Sequence, residues 1–275
     1  MDKILLIDTY NAIYRATSSF GRPPENVKPE DTIVYNFFRN LRPIIELFKP
    51  NQLLFVIEGN PEFRYSLYPE YKANRIVKTG SKLEAKENFK KAKAIILNLL
   101  SLFPCSIVKA DKYECDDVIS TLSNQMSNED ITILSNDSDY TQLLQLGFEN
   151  IKIYDPIKKK YFTSTEYPYV VWKSLAGDKS DNIKSLAPEA QAVELSTDPD
   201  KLSAYLDLEE NRANFSINHK LIEFANVPEE EIIITKGEYK KDWIKREFKC
   251  LGFNSIVNDK SWIKYINTFD CINIV

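Results

Sequence analysis

KILLID, residues 3–8, is an unbroken run of four apolar residues closed by an acid. Such a run lacks the alternation of a half-solvated strand, so it predicts a strand buried on both faces. The pattern recurs. LLFVI (53–57) is followed by Glu58, and DITILS (130–135) stops just before Asp137 and Asp139. CSIVKA (105–110) and IKIYD (151–155) read as further strands, with KKYFT (159–163) as a hairpin return. Between them lie stretches with helical spacing: DTIVYNFFRNLRPIIELF (31–48), AKAIILNLLSLF (92–103) and CDDVISTLSNQM (115–126). Strands alternating with helices predict an α/β fold, a central and mainly parallel sheet flanked by helices, over residues 1–164. From Thr163 onward the strand pattern stops apart from EEEIIIT (229–235), so residues 165–275 are expected to form a second, mostly helical domain.

The rest of the composition narrows the class. The chain has 275 residues, suited to one large domain or two smaller ones. It has no run of eighteen apolar residues, and MDKILLIDTY meets Asp8 too early for a signal peptide, so a cytoplasmic protein without membrane attachment is expected. Cys105, Cys115, Cys250 and Cys271 match no zinc spacing and read as free thiols. The single histidine, His219, excludes a His-rich metal site and makes a His-dependent nucleophile a poor fit.

In open α/β sheets ligands gather at the carboxyl ends of the strands. Asp8, Glu58, Asp137 and Asp139 all stand at such ends. YECDDVIS (113–120) adds Glu114, Asp116 and Asp117, and LAGDKSDNI (175–183) adds Asp178 and Asp181. On a helix Glu114 and Asp117 share a face, with Asp116 roughly 100° away. Singly, each acid has an ordinary role: Asp8 in a turn, residues 114–117 at a helix start that favours acids, Asp137 as an N-cap. Together, nine carboxylates near one crevice repel unless cations neutralise them. Oxygen ligands without His or Cys select Mg²⁺ or Mn²⁺, and two such ions about 4 Å apart suit phosphodiester cleavage. The net charge of −4 argues weakly against a nucleic-acid binder, but without those nine acids the chain carries about +5. Much of that basicity lies in residues 64–93, beside Tyr65, Tyr68 and Tyr71. A basic stretch with aromatics suits phosphates and stacked bases.

LLIDTYNAIYRA, FRYSLYPEYKANR, DKYECDDVISTL, ILSNDSDYTQLL and LAGDKSDNI resemble, in order, the successive motifs of the 5′ nucleases. That family comprises flap endonucleases, phage 5′–3′ exonucleases and the 5′-nuclease domains of bacterial DNA polymerases. SDYTQL, KKKYF and LIEFANVPEEE resemble its T4-type phage ribonuclease H branch in particular. The resemblance implies a PIN/5′-nuclease-like fold with a helical arch over about 60–93 and a DNA-binding C-terminal domain with a modified helix-turn-helix. It implies a Mg²⁺-dependent enzyme (Mn²⁺ possible) with two ions, cutting at 5′ ends or flaps of DNA and at RNA primers in RNA–DNA hybrids during phage-type replication or repair.

By the same resemblance Asp8, Glu58, Glu114 and Asp116 or Asp117 would hold one metal, and Asp137, Asp139, Asp178 and Asp181 would surround the other. Lys72 and Arg75 would contact the scissile phosphate, Tyr71 would stack on a base, and Arg64, Lys78 and Lys82 would bind the strand. Residues 76–92 carry little apolar surface and are expected to order only on a bound 5′ strand. A monomer is implied, with a single-strand-binding protein and a clamp as replication partners. Two departures stand out. Glu58 replaces the family's usual Asp, and no glycine lies between Gly177 and Gly237 to make the usual tight turn. They motivate the alternative of a branched-DNA-binding protein of the same fold with impaired catalysis.

Overall fold

The apolar runs form the strands that their burial requires. The computed structural model describes residues 1–18, 27–75 and 80–274. The first part of the chain gives β1 (Lys3–Asp8), α1 (Thr9–Ser18), α2 (Pro29–Phe48), β2 (Gln52–Val56), α3 (Glu62–Leu67), α4 (Ser81–Leu100), β3 (Ser106–Lys109), α5 (Cys115–Gln125), β4 (Asp130–Leu134), β5 (Ile151–Asp155) and β6 (Lys160–Tyr161). There follow α6 (Tyr169–Ala176), α7 (Glu189–Thr197), α8 (Pro199–Leu206), α9 (Glu209–Ile222), β7 (Ile233–Lys236), α10 (Lys241–Cys250), α11 (Asn254–Val257) and α12 (Asp259–Asn267).

Seven strands form one sheet in the order β6-β5-β4-β1-β2-β3-β7. The five inner strands run parallel, while β6 and β7 are antiparallel edges. Ile4 and Leu6 of β1 pack on one side with Val118, Ile119 and Ile133. Leu5 and Ile7 pack on the other with Phe38, Phe55 and Ile96. Both faces are covered, which is why β1 tolerates no polar alternation. The register pairs Asp8 with Val56, Ile7 with Leu134, and Leu134 with Tyr154. Asp8, Glu58, Asp137 and the β5–β6 turn therefore leave the sheet at one edge.

The stretch expected to be a separate helical domain from residue 165 divides in two. Helices α6–α9 build their own small core from Leu175, Ala187, Ala192 and Leu195, and the buried Asn218 amide donates to the carbonyls of Ser174 (2.8 Å) and Lys184 (2.9 Å). The last part instead rejoins the main body. Strand β7 pairs with β3, Phe248 of α10 lies 5.1 Å from the Phe38 ring, and the Tyr265 hydroxyl donates to the Phe38 carbonyl at 3.1 Å. Those residues are apolar on one helix face, and the uncovered aromatic surface of α2 is where that face is buried.

Residues 81–92 are helical: α4 continues into buried Ala92, Ile96 and Leu99, and Phe89 stacks on Tyr14 at 4.4 Å. Lys78, with Ile76 and Val77, lies outside the described residues. The turn directly after α6 is made by Gly177 itself (φ 73°) and by Asn182 (φ 62°), and Asp178 bridges Ile183. A Cβ on Gly177 would meet the Ser185 nitrogen at 2.6 Å, so only glycine fits there.

Candidate active site

A cavity of about 910 Å³ opens at the carboxyl edge of the sheet. Seven of the nine singled-out acids line it: Asp8, Glu58, Asp116, Asp137, Asp139, Asp178 and Asp181. Lys72, Arg75, Lys82 and Lys173 share its wall, and Tyr10, Tyr14 and Phe89 form its apolar end.

One half of the site is built on the sheet. Asp8 ends β1, and its carboxylate accepts from the Asn11 amide (3.0 Å) and the Ser135 hydroxyl (3.2 Å). Glu58 follows β2 and accepts from the Cys115 amide at 3.1 Å, which ties it to the start of α5. Asp116 stands in the first turn of α5, and Asp137 caps the short 3-10 turn Ser138–Gln145 by accepting from the Asp139 amide. Burial is the main force on all four carboxyls. It pushes Asp8 up, and it raises Glu58 to about 7 with the help of the Glu114 charge. It raises Asp137 to about 6, with Asp139 adding repulsion, and drives Asp116 well above the usual range beside Asp117 and Glu114. One oxygen each from Glu114, Asp116 and Asp117 lies within 4.8 Å of the others. Crowded, desolvated carboxylates without sulfur or imidazole donors fit a hard divalent cation.

The other half hangs from the turn after α6. Lys173, in the last turn of α6, pairs with Asp139 and, at 2.8 Å, with Asp178. Burial alone would push Asp178 up, but the Lys173 bond and those from Ser180 bring it down to about 2. Asp181 pairs with Arg75 and lies 3.8 Å from the Lys72 ammonium. Lys72 also pairs with Glu114. Burial would lower the Lys72 pKa, yet Glu114, Asp181 and Glu58 hold it above its ordinary value. Of the basic residues singled out for substrate, Lys82 is exposed on the cavity wall.

Arg64 and Tyr71 are revised, and Asp117 and Glu114 are buried. Arg64, expected to bind substrate, is 1% exposed, and its guanidinium forks onto Asp117 (2.5 and 2.8 Å) and reaches Glu114 at 3.0 Å. Asp117, 0% exposed, has its oxygens taken by Arg64 and by the amides of Glu114 and Ala225, so Asp116 rather than Asp117 faces the cavity. Glu114 is likewise buried, held by Tyr71, Lys72 and Arg64, yet it keeps an oxygen within 4.8 Å of oxygens of Asp116 and Asp117, so it stays in the acid cluster. Tyr71, expected to stack on a base, is 3% exposed and donates to Glu114 at 2.8 Å and Asp181 at 3.2 Å, leaving no ring face free.

Sequence reasoning missed Lys173, whose apolar context VVWKSLA (170–176) reads as plain helix. It also missed the aromatic end of the cavity. There the usable signal was the i, i+4 spacing of Tyr10 and Tyr14 just after Asp8. Tyr14 is 62% exposed against the Phe89 ring, and Lys93 donates to the Tyr10 hydroxyl at 2.5 Å.

The family described as "5′-3′ exonuclease, N-terminal resolvase-like domain" matches residues 3–171. DNA polymerase I of Treponema pallidum (strain Nichols) is 28% identical over 209 residues, covering 69% of this chain and 20% of the polymerase. A 5′-3′ exonuclease of Aquifex aeolicus (strain VF5) is 27% identical over 200 residues, 68% of this chain and 65% of that protein. The match thus spans about a fifth of the polymerase. Among solved structures, a bacteriophage T5 flap endonuclease in a complex with DNA and metal ions superposes with a TM-score of 0.65 at 12% identity, over 98% of each chain. The catalytic core of Rad2 in complex with DNA substrate gives 0.58 at 16% identity, over 96% of this chain and 93% of that one. At such identities the likeness is one of fold.

Proposed function

The chain belongs to the family of 5′-3′ exonuclease N-terminal, resolvase-like domains, and from that premise we propose that it is a Mg²⁺-dependent 5′ nuclease using two ions. It hydrolyses phosphodiesters at 5′ ends or flaps of DNA and at RNA primers in RNA–DNA hybrids, in phage-type replication or repair. The observation that carries this reading is the convergence of seven carboxylates on one cavity that also displays Lys72 and Arg75. Asp8, Glu58, Asp116 and Asp137 would hold one cation, and Asp139, Asp178 and Asp181 the neighbourhood of the second. Bound divalent ions would neutralise these acids and activate water for attack on phosphorus.

The remaining chemistry belongs to the chain. Lys72 and Arg75 present N–H donors from the segment beside α3, and these meet non-bridging phosphate oxygens as charge builds in the transition state. Their present partners, Glu114 and Asp181, aim them at the cavity and limit their rotamers. Tyr14, backed by Phe89, offers a face on which a base of the 5′ strand can rest. The α6–α7 unit with its Gly177 turn would grip the duplex as a modified helix-turn-helix. The test is cleavage of labelled 5′-flap, nicked and RNA–DNA hybrid substrates in Mg²⁺ and in EDTA. Metal-dependent products near the 5′ end are expected. Binding of the flap without any metal-dependent product would instead identify a branched-DNA-binding protein.

A further inference from the structure

Strand β7 closes the sheet on the side away from β6, next to β3. Its register shows which of its backbone groups are already used. The Val108 carbonyl turns toward β2, where it accepts from the Ile57 amide at 2.9 Å. Val108 therefore makes no ladder bond to Ile234, the residue opposite it on β7. By alternation the bonded pairs are Ile107 with Thr235 and Lys109 with Ile233, and the Gly237 amide continues the series by donating to the Cys105 carbonyl at 2.8 Å. Ile234 and Lys236 point their N–H and C=O groups outward, and among the described residues nothing bonds them.

The two edges of the sheet are built differently. Strand β6 is two residues long and begins with Lys160, a short charged edge of the kind that discourages further pairing. Strand β7 has four residues, all exposed, and Ile233 (41% exposed) and Ile234 (50%) are among them. With the whole strand exposed, no described element covers its edge. The charges are sorted by end. Glu229, Glu230 and Glu231 form the turn that leads into the strand, and Lys236 closes it. None of these four makes an ion pair among the described residues.

We propose that β7 pairs with β7 of a second copy of this chain, joining two sheets into one across a two-fold axis. A two-fold normal to the sheet makes the pairing antiparallel, so the acidic turn of each copy meets the lysine end of the other. That is the charge order the strand carries: acids before it and a base at its end are complementary to the same strand reversed, and a second copy supplies the reversal. With Ile234 opposite Ile234 on the axis, the two isoleucines pack on each other and their outward N–H and C=O groups exchange two bonds. Each Lys236 N–H then meets the Ile232 carbonyl of the other copy, and its ammonium lies on the diagonal from Glu230. Strand direction reverses between the copies, so their carboxyl edges and cavities face opposite ways. The pairing replaces the monomer implied by the family resemblance and is independent of the nuclease reading.

The experiment is sedimentation equilibrium of the full chain without nucleic acid or divalent metal, with a reductant that keeps the exposed Cys250 and Cys271 as thiols. The apparent mass of the wild type is expected to rise from one chain toward two between about 10 µM and 1 mM, the regime of a small transient interface. Ile234→Pro removes an outward N–H without touching the β3 ladder and should stay at the mass of one chain throughout. Glu230→Lys/Glu231→Lys sets like charges against each other and should raise the dissociation constant at least about tenfold at low salt. Adding Lys236→Glu to that pair reverses both ends and should restore association. Circular dichroism and Tm check that each variant is folded. A wild type that keeps the mass of one chain at about 1 mM overturns the proposal. So does an Ile234→Pro variant that associates like the wild type, which would place the interface elsewhere. A charge-swapped triple variant that associates no better than the double overturns it too, because the strand would then not be facing its own copy. Should the proline variant fail to fold, the charge variants decide.

Discussion

Replacing Arg64 with methionine separates a structural cation from a substrate-binding one. The side chain keeps its length and apolar stem but loses its charge. In the wild type the guanidinium forks onto Asp117 at 2.5 and 2.8 Å, touches Glu114 at 3.0 Å, and donates to the carbonyls of Leu221 (3.0 Å) and Glu223 (3.2 Å). It thereby joins α3, the start of α5 and the end of α9. The variant leaves the Asp117 carboxylate buried with only the amides of Glu114 (3.1 Å) and Ala225 (2.7 Å), and strands two carbonyls. Breaking a buried ion pair from one side costs about 3–5 kcal/mol, a large share of the 5–15 kcal/mol that is typical of a folded protein. With a urea dependence of about 2–3 kcal/mol per molar, the unfolding midpoint should fall by about 1–2 M. Urea titration followed by tryptophan fluorescence measures it. Adding Asp117→Asn to Arg64→Met removes the orphaned charge while keeping an acceptor for the Ala225 amide, so the double variant should regain part of the loss. A midpoint unchanged within the error of the titration, together with a raised KM for flap DNA, would refute the reasoning and restore Arg64 to the substrate-binding set.

Asp137→Asn should abolish metal-dependent cleavage, by at least about a hundredfold, while flap binding in EDTA survives; an unchanged rate at saturating Mg²⁺ counts against its placement as a ligand. Lys72→Ala should lower kcat and kcat/KM equally, by about 10²–10³, with little change in KM; a change confined to KM would make Lys72 a backbone contact only. The metal-free protein should lose stability as pH rises. Glu58 and Asp137, raised by burial to about 7 and about 6, bind protons more tightly folded than unfolded, so their contribution is full below pH of about 4 and is lost as pH passes 6 to 7. The loss is about 3 kcal/mol per group at most, and melting at pH 5 and pH 8 in EDTA should show a lower Tm at pH 8, a difference that Mg²⁺ should shrink.

What could be read from the sequence divides along the range of the interactions. The inner strands were legible because a strand covered on both faces must be apolar throughout, a local property of residues 4–7 or 53–57. The acids were legible because they stop those strands. The fate of Arg64 was not, because nothing in FRYSLYP distinguishes it from the exposed lysines that follow; only the approach of Asp117, 53 positions away, buries it. Tyr71 was misread for the same reason. Its partners Glu114 and Asp181 lie 43 and 110 positions off. The apolar run before Thr235 announced a strand, but its pairing with β3 and the docking of α10 and α12 on α2 depend on which aromatic surfaces the first part of the chain leaves uncovered. In helix α4 only the charged first turns, residues 81–92, were expected to order on a bound strand. Its apolar second half is anchored in the core, and helix propagation from that anchor adds one hydrogen bond per residue fixed.

The two halves of the cavity differ in how their charge is already balanced, and the difference bears on the proposed mechanism. Asp139 and Asp178 are held by Lys173, and Asp181 by Arg75 and Lys72. There a cation arriving from solution must compete with ammonium and guanidinium groups that are already in contact. Glu58, Asp116 and Asp137 instead have their carboxyls pushed up by burial first, and then by neighbouring acids: Glu114 and Asp8 on Glu58, Asp117 and Glu114 on Asp116, Asp139 and Asp8 on Asp137. In that half an added divalent charge relieves desolvation and repulsion without displacing a partner. Electrostatics therefore favours the sheet-borne half as the tighter position, and leaves the half below α6 weaker and dependent on Lys173 and Arg75 giving way. A substrate phosphate supplies the negative charge that would draw those two cations off their carboxylates. On the proposed mechanism the second half would be completed by the substrate itself, and cations that now lock the acids together would become the groups that hold the phosphate.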